Sequence, residues 1–305
     1  MTEHMTAHTG ADTTARTKIP LGSDLAVGRI GYGSMRLTGE GLYGEYPDRE
    51  AGKSFLRQAV DAGVDLIDTA DVYGPHTTET LIREALHPYP EHLVIATKGG
   101  LVRSGPELST IGFVGNPQYL RQSVHLSARR LGVERIDLYY LHSGWAKDAS
   151  FADQVGTLAQ LREEGMIKNI GLSNVSVEQL REARDITEIA AVTAHYNVVA
   201  RQERPLLDAA EAAGAVFVPW QPVSLTTPGD PTDTRGSATV AAALAAVADA
   251  HGATVPQVAL AWLLAVSPTM LPIPATTTLG HLRENLAAQD LRLTDEEIRT
   301  IDALA

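Results

Sequence analysis

Four residues capable of proton transfer stand at the ends of three successive apolar runs. The runs read LIDTADVY, LVIATKGG and IDLYYLHSG, and the residues are Asp68, Tyr73, Lys98 and His142. An ammonium beside a phenol favours the phenolate and so lowers the pKa of the phenol. A Tyr with a Lys and an Asp close by is therefore predicted to be a general acid, with a pKa nearer working pH than the ~10 of free tyrosine. Such a donor suits the reduction of a carbonyl group.

The rest of the chain supplies the strands and helices that must bring these residues together. Eight short apolar runs alternate with segments of helical periodicity, which predicts parallel βαβ units. The runs are continuously apolar, as expected when both faces of a sheet are covered. The eight runs are RIGYGSM, VDLIDTA, HLVIATKG, RIDLYYLH, MIKNIGLSN, AAVTAHYNV, AVFVPWQPV and TMLPIPATT.

Six segments are predicted to be helices from their apolar spacing and their end signals. Polar N-caps are expected at Asp48, Ser176 and Thr294, and glycine ends several helices. The glycines are Gly63, Gly132, Gly165 and Gly214. The helical segments are DREAGKSFLRQAVDAG, TTETLIREALH, NPQYLRQSVHLSARRLG, FADQVGTLAQLREEG, SVEQLREARD and VPQVALAWLLA.

Eight strand-then-helix units favour a single closed (β/α)8 TIM barrel. A doubly wound sheet is the alternative, but no G-x-G-x-x-G follows any of the runs, so a Rossmann nucleotide site is unsupported. Barrel active sites lie at the carboxyl ends of strands, where Asp68, Tyr73, Lys98 and His142 would converge from neighbouring strands. The segment QPVSLTTPGDPTDTRGSA after the seventh run reads equally well as a lid or as a surface loop.

Composition excludes several classes of protein. The 305 residues include 37 acidic and 25 basic side chains, and the net charge of -12 argues against a general nucleic-acid binder. There is no cysteine, which excludes disulfides, thiolate metal sites and cysteine nucleophiles. No apolar run is long enough to span a membrane, and MTEHMTAHTGADTTAR lacks the apolar centre of a secretory signal. We expect a disordered tail over residues 1–17, one barrel domain over 18–305, a cytoplasmic location, and no nucleic-acid or membrane partner. The oligomeric state stays open, and a monomer would suffice.

Five motifs together resemble the aldo-keto reductases. They are IDTADVYG, ATKGG, YYLH, GLSN and LPIPATTTLGHLRENL, and the likeness runs from about Gly28 to the C-terminus. The resemblance implies a (β/α)8 barrel that binds NADP(H) in an extended pose, holds no metal and acts on a small-molecule carbonyl compound. It implies that Tyr73 protonates the carbonyl oxygen while Lys98 lowers the pKa of Tyr73. Asp68 would pair with Lys98, and His142 would orient the carbonyl group.

The same resemblance implies residues at the nicotinamide end of the cofactor. Ser34 and Met35, which end the first strand, are expected beside the nicotinamide. Ser173 and Asn174 of GLSN resemble the pair that hydrogen-bonds its carboxamide. Trp220 stands where relatives usually have a stacked Tyr, and an indole offers a larger flat face.

At the far end of the cofactor, the resemblance assigns the adenosine 2′-phosphate to the strand-to-helix segment after the eighth run. Free N–H groups and hydroxyls at the start of a helix suit a phosphate, and Thr276 and Thr277 lie there. Glu284 and Asn285 are expected to contact the adenine. His281 stands where many relatives carry Arg, and a neutral imidazole is a weaker partner for a phosphate dianion.

A second departure is Thr193, which occupies a position where many relatives have a Gln that contacts the carboxamide.

Four longer runs resemble the pyridoxal reductases within the family. They are GYGSMRLTGEGLYGEYPDRE, DVYGPHTTETLIREALHPYP, GLSNVSVEQLREARDITEIA and HLRENLAA. They nominate pyridoxal or another polar aromatic aldehyde as substrate. A tailoring reductase of a biosynthetic intermediate is equally open. Two other classes remain: a nucleotide-sensing barrel with little turnover, and a Schiff-base aldolase that uses Lys98.

Overall fold

The structure is a computed structural model that describes residues 17–226 and 234–304, apart from the side chains of 234–237. The predicted tail, except residue 17, and the middle of the long loop after the seventh run lie outside the described residues. The strands are β1 Lys18–Leu21, β2 Leu25–Gly28, β3 Tyr32–Gly33, β4 Leu66–Asp68, β5 Val94–Gly99, β6 Leu101–Arg103, β7 Ile111–Phe113, β8 Ile136–Leu141, β9 Ile167–Ser173, β10 Ala191–His195 and β11 Val216–Trp220.

Seven parallel strands form a curled sheet in the order β11-β10-β9-β8-β5-β4-β3. The eighth predicted run closes the gap between the two edges without forming a regular strand. Leu271 N donates to Phe217 O at 2.9 Å on β11, and Gly31 N, just before β3, donates to Pro272 O at 3.0 Å. Pro272 and Pro274 have no N–H, so a continuous ladder cannot form there. The predicted (β/α)8 barrel is confirmed.

Ten α-helices are described, and each of the six predicted segments matches one of them to within two residues at either end. Asp48, Ser176 and Thr294 accept hydrogen bonds from backbone N–H groups as N-caps. All four predicted glycines have a left-handed φ at or just after a helix end. The helices are α1 Arg49–Asp61, α2 Thr77–Leu86, α3 Pro117–Leu131, α4 Phe151–Glu163, α5 Val177–Ile186, α6 Arg204–Ala212, α7 Thr234–His251, α8 Val255–Val266, α9 Leu279–Ala287 and α10 Asp295–Asp302.

Alternate residues of the barrel strands enter two separate apolar cores. On β8, Leu138 and Tyr140 belong to a core that fills the barrel, while Tyr139 and Leu141 pack with the surrounding helices. Both sets are buried, which explains why the strands read as continuous apolar runs. Leu21 and Val27 of the β1–β2 hairpin join the inner core and so belong to the floor of the barrel.

Two antiparallel hairpins were not expected from the sequence. One is β1–β2, and the other is β6–β7, which follows β5 directly at the carboxyl end of the barrel. No single helix in the described ranges has the length and apolar composition to cross a membrane. Residues Ala238–His251 and Val255–Val266 reach that threshold only as a pair, bent by 93°.

Candidate active site

Strand alternation sends the predicted site residues to the inside of the barrel. Residues two apart on a strand share a face, so Lys98 continues the inner row of Val94 and Ala96 on β5. Asp68 follows Leu66 on β4 in the same way. These polar side chains lie at the carboxyl end, where the inner apolar core stops.

Lys98 and Asp68 form an ion pair with almost no access to solvent. The ammonium of Lys98 also donates to Thr69 O at 2.9 Å. Its Nζ lies 5.5 Å from the ring centroid of Tyr73 and 5.6 Å from that of Tyr140. Burial by itself lowers the pKa of Lys98, but Asp68 and then Tyr73 outweigh it and raise the pKa. Lys98 therefore carries its charge at neutral pH.

The phenol of Tyr73 differs from the expectation in its acidity. Burial raises the pKa of Tyr73, and Lys98 offsets only part of that rise. The direction of the effect of Lys98 is as expected, but desolvation of the phenolate is larger. Tyr73 is therefore neutral and holds its proton at neutral pH, which is the state that a general acid needs.

His142 faces Tyr73 across the site, with ring centroids 6.4 Å apart and planes at 78°. Burial, and then the charge of Lys98, hold the pKa of His142 well below its usual range. The imidazole is therefore neutral and carries one N–H. Its Nδ1 is buried and has no hydrogen-bond partner among the described residues.

A cavity of about 580 Å³ opens beside these residues. All four predicted catalytic residues line it, as do Met35, Ser173, Asn174, Thr193 and Trp220. Ser34 is fully buried and is not part of the lining, and its hydroxyl donates to Asp68 O at 2.9 Å. The structure therefore places Ser34 behind the strand end rather than in the cavity.

The predicted nicotinamide residues hydrogen-bond to one another. Trp220 Nε1 donates to Asn174 Oδ1 at 3.1 Å, and Asn174 Nδ2 donates to Ser173 Oγ at 2.9 Å. One face of the indole stacks on His195, with centroids 4.2 Å apart. Thr193 Oγ1 is buried without a hydrogen-bond partner within the described ranges.

The predicted phosphate residues lie outside this cavity, whose lining reaches only Ala275 in that direction. Thr276 is buried, and its Oγ1 accepts a hydrogen bond from Thr278 N at 3.1 Å. Thr277 is partly exposed. His281, Glu284 and Asn285 lie on α9, where His281 is exposed, Glu284 partly buried and Asn285 buried.

Several lining residues were missed from the sequence. Arg103 is one of them, and its guanidinium donates to Leu42 O at 2.9 Å and to Gly41 O at 2.8 Å. It therefore ties the β6–β7 hairpin to the loop after β3. Other missed lining residues are Arg36, Val72, Leu101, Ile111, Val223 and Ile273. Five of these six are apolar; three of the five lie in loops and two in the short strands β6 and β7, and no local motif marks them. His195, which stacks on Trp220 outside the lining, was visible only as part of the AHYN run.

Comparison with known proteins identifies the class. A model of the aldo/keto reductase family matches residues 29–305. An oxidoreductase of Schizosaccharomyces pombe is 40% identical over 282 residues, 92% of this chain and 87% of that protein. The pyridoxine 4-dehydrogenase of Escherichia coli is 39% identical over 285 residues, 92% of this chain and 96% of that protein.

Among solved structures, the glycerol dehydrogenase of Gluconobacter oxydans superposes with a TM-score of 0.84 at 26% identity, covering 95% of each chain. The chain therefore belongs to the aldo/keto reductase family. It is an oxidoreductase of that family.

Proposed function

We propose that the protein reduces an aldehyde or ketone to an alcohol with NADPH, with Tyr73 as the proton donor. The observation that carries the proposal is the placement of Tyr73 on the wall of the cavity, 5.5 Å from the Nζ of an ion-paired Lys98. A neutral phenol beside a fixed ammonium can give up its proton and leave a phenolate that the ammonium stabilises.

The residues of the cavity fit a nicotinamide. Trp220 lines the cavity while His195 covers one face of its indole, so the nicotinamide would stack on the other face. Thr193 Oγ1 is a buried polar atom without a partner among the described residues, and it suits a carboxamide. The Oδ1 of Asn174 already accepts a hydrogen bond from Trp220, and its Nδ2 donates to Ser173 Oγ. We therefore assign the carboxamide to the two residues together: Asn174 Nδ2 would donate to the carboxamide oxygen, and Ser173 Oγ would accept from the carboxamide nitrogen.

When bound, the reduced nicotinamide supplies a hydride to the carbonyl carbon. Tyr73 then gives its proton to the carbonyl oxygen, and an incipient alkoxide is basic enough to accept it even from a phenol of raised pKa. Lys98 stays protonated because Asp68 neutralises it, so it stabilises the phenolate without losing its own proton. His142, neutral and with a free ring nitrogen, donates its single N–H to the carbonyl oxygen and orients it.

The distal end of the cofactor is proposed to follow the segment after Ala275 into α9. Thr276 and Thr277 would meet the 2′-phosphate with His281, and Glu284 and Asn285 would contact the adenine. His281 is exposed, so it is free to reach a bound anion. His281→Arg should increase the preference for NADPH over NADH, because guanidinium binds phosphate bidentately. An unchanged ratio of kcat/KM for the two cofactors would place the phosphate elsewhere.

The first substrate to test is pyridoxal. The relative named pyridoxine 4-dehydrogenase, at 39% identity, supports it alongside the resemblance in the sequence. A tailoring reductase of another carbonyl compound is the second candidate. The direct test follows NADPH absorbance with the purified full chain against pyridoxal, benzaldehyde and simple ketones. Absence of turnover with every carbonyl compound would contradict the reductase and favour a nucleotide-sensing barrel.

A further inference from the structure

Exposed apolar side chains concentrate in and beside the β6–β7 hairpin, whose two strands carry residues that line the cavity. Five large apolar side chains are exposed in the described ranges, and Leu108, Phe113 and Trp145 are three of them. Phe113 is 41% and Trp145 56% exposed. Burial of such rings is strongly favourable, so their exposure needs a reason. The whole chain has only four Phe and three Trp, and one of each is exposed here.

The strand register shows that Phe113 continues a wall of the cavity. In the β6–β7 hairpin, Leu101 lies opposite Phe113, and Arg103 lies opposite Ile111. Directly opposed residues, and residues two apart, share one face of a hairpin. Leu101, Arg103 and Ile111 all line the cavity. Phe113 is the fourth side chain of that face, at its exposed end.

Trp145 extends this wall from the other side. Its indole meets the ring of Phe113 edge-on, with centroids 5.4 Å apart and planes at 72°. Trp145 follows His142 by three residues, and its backbone is held in place. Trp145 N donates to Ser143 Oγ at 2.9 Å, and Gly144 O accepts from Gln179 Nε2 at 2.8 Å. We call the Phe113–Trp145 pair the aromatic ledge.

We propose that the aromatic ledge is an outer substrate subsite that receives a second aromatic ring, beyond the one that carries the carbonyl group. The inference rests on the proposed reductase function and deepens it: the substrate class is an aldehyde or ketone with an aryl arm. A ring laid against Phe113 and Trp145 would be continuous with the apolar side chains of Leu101 and Ile111 inside the cavity. Pyridoxal has a single ring and would not reach the ledge.

The size of the ledge favours a small molecule over a protein partner. Two aromatic side chains bury at most about 150–250 Å² each. Specific protein interfaces bury about 1,200–2,000 Å² in total. The remaining exposed member, Leu108, lies at the turn of the hairpin outside both strands and adds little.

The test compares benzaldehyde with biphenyl-4-carboxaldehyde at saturating NADPH. Trp145→Ala and Phe113→Ala should each lower the biphenyl-to-benzaldehyde ratio of kcat/KM by roughly three- to tenfold, as expected for loss of one aromatic contact. The loss should appear in KM, while kinetics with benzaldehyde stay within about twofold. Leu108→Ala on the same hairpin and Ile186→Ala on α5 are exposed apolar controls, and neither should change the ratio.

An unchanged ratio in both ledge variants would overturn the proposal, as would an equal loss for both aldehydes. A change of oligomeric state in Trp145→Ala with unchanged kinetics would make the ledge an interface between copies and would also overturn it. Calorimetric titration with biphenyl-4-methanol separates the ledge from the reaction. If neither aldehyde is reduced, the proposed function fails; weaker binding in Trp145→Ala than in Leu108→Ala would still support the ledge, and equal binding would remove it.

Discussion

Two buried clusters of charge lie on opposite sides of strand β5, and only one of them faces the cavity. Thr97 and Lys98 are successive residues of β5, and their side chains lie on opposite sides of the strand. Lys98 pairs with Asp68 inside the barrel, and we call this the inner pair. The hydroxyl of Thr97 donates to Glu79 Oε1 at 2.7 Å on the helix side. There Glu79 also pairs with Arg130 at 2.6 Å.

The outer cluster consists of Glu79, Arg130 and Asp71, whose Oδ2 accepts from Ser123 Oγ at 2.6 Å. It holds two carboxylates for one guanidinium, whereas the inner pair is balanced. Burial first, and then the charge of Glu79, raise the pKa of Asp71 to about 7. Perturbed ionisation alone therefore does not identify the active site here, because the outer cluster shows it as well. The inner pair differs in lining the cavity beside Tyr73 and His142.

The largest expected effect separates two tyrosines that lie at nearly equal distances from Lys98. Tyr73→Phe should lower kcat by about 10²–10⁴ and leave NADPH affinity nearly unchanged, because it removes the general acid. Tyr140→Phe is the matched control, since Tyr140 is 5.6 Å from the same ammonium but does not line the cavity. Steady-state kinetics with benzaldehyde and equilibrium NADPH binding provide the measurements. Near-normal kcat in Tyr73→Phe, or an equal loss in Tyr140→Phe, would remove Tyr73 from its proposed role.

A second experiment removes the cation from each cluster. Lys98→Met and Arg130→Met should each lower the free energy of unfolding by about 3–5 kcal/mol, because each leaves a buried carboxylate without its partner. Only Lys98→Met should also lower kcat, by more than its effect on the folded fraction explains. Urea titrations and assays of the folded protein distinguish the two losses. A loss of kcat in Arg130→Met that matches that of Lys98→Met would show that the outer cluster is also part of the reaction.

The sequence was sufficient for the barrel because its strands and helices follow strong local rules. Continuous apolar runs predicted the two-sided burial seen for Leu138 and Tyr139, and the capping signals at Ser176 and Thr294 predicted helix starts. The β6–β7 hairpin escaped prediction because its strands have three residues each and are only partly buried or exposed. Such short segments have no clear period. The eighth strand is irregular because of its prolines, which are visible in the sequence. Their effect on the hydrogen-bond ladder could not be predicted, because it depends on the two strands that flank them, β11 and β3.

Prediction of the site was most complete where residues end strands. Strand alternation fixes the inward direction of Asp68, Lys98 and Trp220, so their shared cavity follows from the barrel alone. The sign of the net pKa shift of Tyr73 could not be predicted, since it depends on how deeply the ring is buried. The outer cluster was also missed, because Asp71, Glu79 and Arg130 come from three separate segments. Only packing of α2 and α3 on β5 brings those charges together.

Neutralising one carboxylate in each cluster should change the stability at pH 8 in opposite directions. Because the folded pKa of Asp71, about 7, lies above the ordinary 3.8, the folded state binds its proton more tightly. The stabilisation is then fully present below about pH 4 and is lost as pH rises to about 7, by at most about 4 kcal/mol. Asp71→Asn should therefore be more stable than wild type at pH 8, and the difference should vanish near pH 4.

Asp68→Asn provides the opposing variant. It should be less stable than wild type at pH 8, because it leaves Lys98 charged and unpaired in the barrel. Urea unfolding of both variants between pH 4 and 8 measures the two trends. Parallel curves for Asp71→Asn and wild type would show that Asp71 does not titrate in this range.

The smallest expected effect comes from the hydroxyl of Ser123, which donates to Asp71 Oδ2 and also accepts from Tyr139 Oη at 3.2 Å. Ser123→Ala removes the hydroxyl that lowers the pKa of Asp71, so the pH at which Asp71 titrates should rise further. Stability at pH 8 should fall by about 1.5–3 kcal/mol, the range for a hydrogen bond to a charged group. Ser127→Ala, one turn further along α3, is the matched control, since Ser127 contacts the guanidinium of Arg130 at 3.1 Å and not a carboxylate. Ser127→Ala should leave the pH at which Asp71 titrates unchanged.

Because neither serine lines the cavity, kcat with benzaldehyde should stay within about twofold in both variants. A large loss of kcat in Ser123→Ala alone would instead mean that Asp71 controls the position of Tyr73 two residues later.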